Sequence, residues 1–402
     1  AAAKLEARRT EVLVYYSGEL VHGERQHGVA DIVDATPYPN GVMILSKIGA
    51  LWFIVTALLG VVTVAAILVQ TFADYHRYEL GLYLQGLFYV YGGGFYLLAV
   101  AAVVIQVLAR NKFIGMFVFI VLFMGIQILN SLDFEHNLYQ FGVPSAVYSD
   151  MNGFGHYLTP VHLYTLYWAF FCVVLVALAH LLYRRGYYDH LSERLQTAAQ
   201  RWNGRVAGAV SVGLLGFLGA GSWIFYNTNV LNEYVTTDER EERQAEYEKL
   251  YKHFEDVHLP ETVELDVEVD IYPQERRVNS RGEAVLQNML ENPIEEVALA
   301  LAPVLDINRL EIEGGELVLE DEKLGQYNYR LNTPMAPGEQ RRLSWDLSWV
   351  NDGFPNSGAS NRVVANGTFV NNTEVMPVPG YASGRELGDN NTRRKYDLPP
   401  VQ

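Results

Sequence analysis

Five apolar runs, at about 44–71, 81–109, 113–132, 161–183 and 206–226, are each long enough to cross hydrocarbon and hold almost no charge. A run of this kind satisfies its own backbone hydrogen bonds in lipid only as a helix, so the pattern predicts an α-helical multispan domain. Val12 to Tyr16 reads as the end of a preceding span. The pattern then turns polar. Residues 227–260 predict a linker helix. Thr236 and Glu239 have capping-box spacing, Glu239/Arg243 and Glu248/Lys252 stand at i,i+4, and Tyr247, Leu250, Tyr251 and Phe254 form an apolar stripe expected to pack on the chain's own sheet. From Glu261 the period changes to two. Val263, Leu265, Val267, Val269 and Ile271 alternate with acids, which predicts a half-buried strand. Leu310 to Glu320 reads as two strands joined at Gly314-Gly315, and Leu343, Trp345, Leu347 and Trp349 alternate after a Pro337-Gly338 turn. Residues 261–402 are therefore expected to form an all-β sandwich or saddle.

Charge divides along the same line. The net charge is −16, and the excess lies after Asn232, where 33 acids face 17 bases, while the earlier part holds 13 of each. An acidic module of this kind repels phosphate, which excludes nucleic acid as a partner. Cys172 is the single cysteine, so no disulfide framework or thiolate metal cluster is available. The stretch to Thr10 carries charges where a signal peptide would have its apolar core. Arg110 and Lys112 share one short loop, and Arg184, Arg185, Arg194, Arg201 and Arg205 crowd another, whereas 133–159 has neither Lys nor Arg. Positive-inside bookkeeping places the first two loops and residues 18–43 in the cytoplasm and everything after Asn227 outside.

Candidate chemistry is sparse. No acid or base sits mid-span, which argues against a buried charge relay. Gly92, Gly93 and Gly94 interrupt the second span and mark a close helix crossing, with a gating hinge as the alternative. Gln85, Gln106, Gln127 and Asn130 are candidates for a polar path. The 133–160 loop is expected to fold back partly over the spans, and its Glu135, His136, Asp150 and His156 are weak candidates for a cation site. His22 and His27 flank Glu24, but their spacing of five does not place all three on one helical face. Asn366, Asn371 and Asn390 begin Asn-x-Thr triplets that read as turn chemistry.

Residues 18–47 carry the most specific pattern. Val29, Ile32 and Val33 form a short amphipathic stretch stopped by Pro37 and Pro39, which predicts a small helix beneath the membrane. Glu24, Arg25, Gly28, Asp31, Ile32, Ala35, Thr36, Pro37 and Lys47 fall on a pattern that resembles the coupling segment of ABC-2-type transporter permeases. In that family a cytoplasmic helix docks in a cleft of the ATPase. In the polar half, LDVEVDIYPQERRVNSRGEAVLQNMLENPIEEVALAL, APGEQRRLSWDLSW and NGTFVNNTEVMPVPGY resemble the N-terminal β-domain of M1-family zinc aminopeptidases. Together with YNTNVLNEY and YSDMNGFGH, the chain from Gly18 onward resembles bacterial proteins that fuse an ABC-2 permease to an M1 aminopeptidase.

That resemblance implies a permease subunit in a bacterial inner membrane, acting as a homodimer or with another permease half. It also implies a separate ATPase that binds the ATP and a periplasmic β-domain with a peptide as a further ligand. Glu24, Arg25, Gly28, Asp31, Ile32, Thr36 and Pro37 would contact the ATPase. None of the ten histidines forms His-Glu-x-x-His, so zinc is expected only in a catalytic domain beyond residue 402, and earlier permease spans are expected before residue 1. No Walker A pattern is present. The alternatives are a membrane-anchored aminopeptidase completed by that domain, and a non-transporting receptor or scaffold. The expected organisation is 1–43 for the end of a span and the coupling segment, 44–226 for the spans, 227–260 for the linker helix and 261–402 for the β-domain.

Overall fold

The computed structural model describes residues 2–186, 191–255, 259–358, 362–365 and 367–401. Two compact units emerge. The first comprises Ala1–Val147, Tyr157–Val230 and Asn356–Gly358, and the second Tyr148–His156, Leu231–Pro355 and Ala359–Gln402.

In the first unit, α1 (Ala2–Gln26) leads into α2 (Ala30–Asp34) and α3 (Asn40–Phe72). A second long helix follows in two pieces, α4 (Leu80–Tyr83) with a π-helical turn to Val90, then α5 (Gly93–Leu108). Next come α6 (Lys112–Asn130), α7 (Leu158–Leu182), α8 (Leu191–Arg201) and α9 (Gly204–Phe225). Among the described residues, five segments are long and apolar enough to cross a membrane: Asn40–Phe72, Leu80–Leu108, Lys112–Asn130, Gly155–Leu182 and Gly204–Val230. Each lies within a few residues of an apolar run, because hydrophobicity and length together leave few places for a span to end. Val14 of α1 packs with Ala102 of α5 and Phe119 of α6, which places α1 inside this bundle.

Of the three adjacent glycines, one is sterically required. A Cβ on Gly92 would lie 2.6 Å from both the Leu87 and Phe88 carbonyl oxygens and 3.0 Å from Leu59 Cδ1 of α3, whereas Gly93 and Gly94 face open space. The π-turn carries the wide bond from Tyr91 N–H to Gly86 O at 2.8 Å, so the break is a local widening of the helix against α3.

The second unit begins with α10 (Thr237–Tyr251), whose Thr236 and Glu239 form the reciprocal capping box. Because Glu239 is used there, Arg243 pairs with Glu233, and the expected Glu239/Arg243 pair does not form. The Lys252–Glu248 pair forms at 3.2 Å. Tyr247 and Tyr251 pack with Leu324, Leu319 and Phe254, as the stripe predicts, but Leu250 is exposed because it sits beyond the edge of that face.

Among the described residues eight strands follow: β1 (Glu261–Tyr272), β2 (Arg277–Gln287), β3 (Ile294–Ala300), β4 (Asp306–Ile312), β5 (Gly315–Asp321), β6 (Gln326–Met335), β7 (Gln340–Val350) and β8 (Val378–Pro379). They form two antiparallel sheets, ordered β1-β2-β7-β4 and β5-β6-β3-β8. Leu286, Leu343, Trp345 and Leu347 of one sheet meet Val297, Leu299, Tyr329 and Leu331 of the other in a single core, which makes a β-sandwich. Gly314, at φ +69°, joins β4 to β5 as the pattern predicts, and the connection crosses between layers because the two strands lie in different sheets. β1 also departs from expectation. It pairs only with β2 among the described strands, and Val263, Leu265, Val269 and Ile271 are exposed, with only Val267 reaching the core.

The α11 helix (Asn390–Lys395) closes the unit by bringing Arg393 to Glu248 at 2.6 Å, a pair only 2% and 1% exposed at its side chains. Asn371 and Asn390 serve turns, the first closing a capping box with Glu374 and the second accepting from Val401 N–H; Asn366 lies outside the described residues.

Candidate functional site

The coupling-like segment folds as the short helix the sequence predicts, bounded by two residues with fixed backbone requirements. Gly28, at φ +71°, ends α1 in a Schellman arrangement: its N–H donates to Arg25 O at 3.2 Å, and Val29 N–H donates to Glu24 O at 2.9 Å. Pro39 opens α3 at φ −68°. Between them α2 has two unlike sides.

One side is clamped. Arg25 reaches the Asp34 carboxylate at 3.3 Å and the backbone carbonyls of Arg184 and Gly186 at 3.3 and 3.4 Å. Gly186 N–H donates to the same Asp34 carboxylate at 2.9 Å. Arg185 then donates to the carbonyls of Asp34 at 2.9 Å and Tyr38 at 3.0 Å, and also to that of Thr36. Thr36 turns its hydroxyl to Val33 O. Glu24 accepts from Lys47 at 2.8 Å, which ties α1 to α3 rather than to α2. The clamp thus joins α2 to residues 184–186, at the end of α7, through charge-assisted bonds that are stronger than neutral ones.

The other side is open. Ile32 is 71% exposed, and Val29, Asp31, Ala35 and Pro37 are exposed beside it. An isolated Ile held out by a clamped helix is a feature that burial in a partner's cleft would stabilise by about 1.5–3 kcal/mol.

Basic residues converge at this end of the bundle. Lys112 donates to Glu19 at 2.6 Å, and His22 meets Gln106 O at 3.1 Å. Arg194, on α8, donates to Val107 O at 2.7 Å, Leu108 O at 3.1 Å and Leu182 O at 2.8 Å, and Arg201 to Leu181 O at 2.9 Å and Tyr183 O at 2.6 Å. These cations satisfy the unpaired carbonyls at the C-terminal ends of α5 and α7, where the helix dipole favours positive charge. Reading 184–205 as a plain loop misses α8. The apolar spacing of Leu191, Leu195 and Ala198 is the signal that marks it.

The expected polar path does not assemble. Gln106 is buried near this end, Gln85 is exposed, Asn130 accepts from Gln140 near the opposite end, and the Gln127 side chain lies outside the described residues. In the 133–160 loop, His136 is buried and makes structural bonds. Its Nδ1 accepts from Leu138 N–H at 3.1 Å, so Nε2 carries the proton toward Asn229 Oδ1 at 3.0 Å. Burial holds the His136 pKa below its ordinary value, against the hydrogen bond that its Nε2–H donates to Asn229. Among the described residues no group of three His, Cys, Asp or Glu is placed to hold a metal ion.

No family model matches this chain, and no curated protein matches it.

Proposed function

We propose that this chain is the permease subunit of an ABC-type transporter, energised by a separate ATPase that docks on residues 18–43. The observation that carries this reading is the two-sided α2. A helix clamped through Arg25, Asp34 and Arg185 to the end of α7 transmits a push, while its outer residues Asp31 and Ile32 stay free to be gripped. Because α7 packs against α5 and α9, displacement of α2 is passed to three spans rather than absorbed in a loop. In this reading ATP is bound by the partner, the basic end of the bundle faces the cytoplasm of a bacterial inner membrane, and the acidic β-unit is periplasmic. The β-sandwich supports the M1-like N-terminal domain. Its role here is to position a protease or capture a peptide. Full-length protein carrying both Asp31→Arg and Ile32→Arg is expected to lose its co-purifying ATPase while unfolding like the parent. An ATPase that stays bound would sink the coupling assignment.

One observation favours a second reading, a membrane-anchored zinc aminopeptidase. The apolar side of β1 stands exposed at Val263, Leu265, Val269 and Ile271, as the contact face for a further domain would. Aminoacyl-anilide hydrolysis by the full-length gene product, lost on adding chelator, would establish that activity; no hydrolysis, or hydrolysis indifferent to chelator, would remove it.

A further inference from the structure

A groove of about 1100 Å³ runs along the first unit between α3, α5, α7 and α9. Its chemistry is graded along its length. At one end stand His180, Asn203 and Arg205, with the His180 ring against Gly41 at the start of α3. Arg205 is exposed and forms no ion pair among the described residues, unlike Arg201, which is spent on the α7 carbonyls. The walls beyond are apolar, formed by side chains such as Leu45, Ile48, Ala169 and Val176. Trp52 and Tyr96 stand part-way along, with polar atoms used on each other and on Thr56: Trp52 Nε1 donates to Tyr96 O at 2.9 Å, and the Tyr96 hydroxyl meets Thr56 Oγ1 at 3.0 Å; Phe88, Tyr89 and Thr165 line the groove beyond them.

Length selects the occupant. On α7 the groove extends from Thr165 to His180, fifteen residues or about 22 Å of helix, short of a hydrocarbon core of about 30 Å but long enough for one extended acyl chain. A transmembrane helix from a second copy would need a wall along the whole thickness. A lipid acyl chain needs one leaflet, with its headgroup at the polar end. The unpaired cation there selects a negative headgroup. We infer that this groove is a binding site for an anionic phospholipid of the leaflet at the basic end of the bundle, with the phosphate held by Arg205 and His180 and an acyl chain lying between α3 and α7. This inference needs the spans to be in a bilayer, but it does not rest on the ATPase reading.

The test is lipid titration of the full chain in neutral detergent, followed by native mass spectrometry, with phosphatidylglycerol and phosphatidylcholine of identical acyl chains. The parent protein is expected to bind phosphatidylglycerol about fivefold tighter, the preference one cation gives near an anionic headgroup. Arg205→Gln should erase that preference and leave the acyl-dependent binding. Ala169→Trp, which fills the groove, should remove binding of both lipids. Equal binding of the two lipids by the parent, or a preference that survives Arg205→Gln, would overturn the site. So would conversion of a dimer to a monomer by Ala169→Trp, since the groove would then belong to a second copy. If Ala169→Trp does not fold, the Arg205→Gln comparison decides alone.

Discussion

Arg194 in the first unit and Arg393 in the second are both buried, at 6% and 1% exposure, but their charges are met differently. Arg194 donates to backbone carbonyls at the ends of α5 and α7, whereas Arg393 faces the Glu248 carboxylate with two hydrogen bonds of 2.6 and 2.9 Å and also donates to Leu387 O. A helix bundle supplies partial negative charge at its C-terminal ends, so a cation there satisfies orphan carbonyls without needing an acid. In the second unit Arg393 of α11 meets Glu248 of α10, and a carboxylate buried to that depth requires a full counter-charge. The same residue type therefore joins helix ends in one unit and locks α11 to α10 in the other.

The largest effect should come from breaking the carboxylate lock. Arg393→Leu leaves the buried Glu248 with only the half-exposed Lys252 as partner and is expected to cost about 3 kcal/mol in denaturant unfolding of the β-unit. Adding Glu248→Met should restore much of it. A single variant as stable as the parent would show that the pair is solvated. Arg194→Leu should cost less, about 2–3 kcal/mol, because carbonyls at helix ends can partly re-pair with water. If Arg194→Lys recovers full stability, the planar fork of the guanidinium is not what holds the two helix ends together.

Acid should separate the units further. His136 has a folded pKa below its ordinary value of 6.5, so its contribution is present above that value and is lost as pH falls through the folded pKa. Burial raises the Glu248 carboxyl, but hydrogen bonds from Arg393 and Lys252 outweigh it and hold the pKa below the usual range. Its contribution persists to lower pH and disappears only as pH falls through that depressed value. Melting followed from pH 7.5 to 3 should show the helical unit weakening first. His136→Asn should remove the earlier decline and Glu248→Gln the later one. A single acid transition unaffected by either change would refute the assignment. The smallest effect belongs to Gly28→Ala, about 1 kcal/mol for forcing a Cβ into the left-handed region at φ +71°, read as a lower melting temperature. Gly28→Asn should be milder.

Hydrophobic length made the five long segments legible, since apolar runs of this extent have one backbone solution in lipid. Period-two alternation made β7 legible as well: Leu343, Trp345, Leu347 and Trp349 are all buried because β7 lies between β2 and β4. The same alternation in β1 led to a wrong burial expectation. Period tells which side chains share a face, not whether another layer covers it, and β1 is an edge strand. Gly28 and the coupling pattern could be seen locally, but the clamp could not. Arg25 and Arg185 find carbonyls 147–161 residues away, and backbone acceptors leave no mark in the sequence. Arg393 and Glu248, 145 residues apart, were hidden for the same reason of distance.

The central claim is that the clamped α2 helix and the acidic sandwich face opposite sides of one membrane. In a Cys172→Ala background, Ile32→Cys and Glu268→Cys can be labelled separately with a membrane-impermeant maleimide on sealed vesicles of known orientation. Labelling of Ile32→Cys only from the cytoplasmic face and of Glu268→Cys only from the opposite face is the predicted result. Labelling of both from the same face would contradict it.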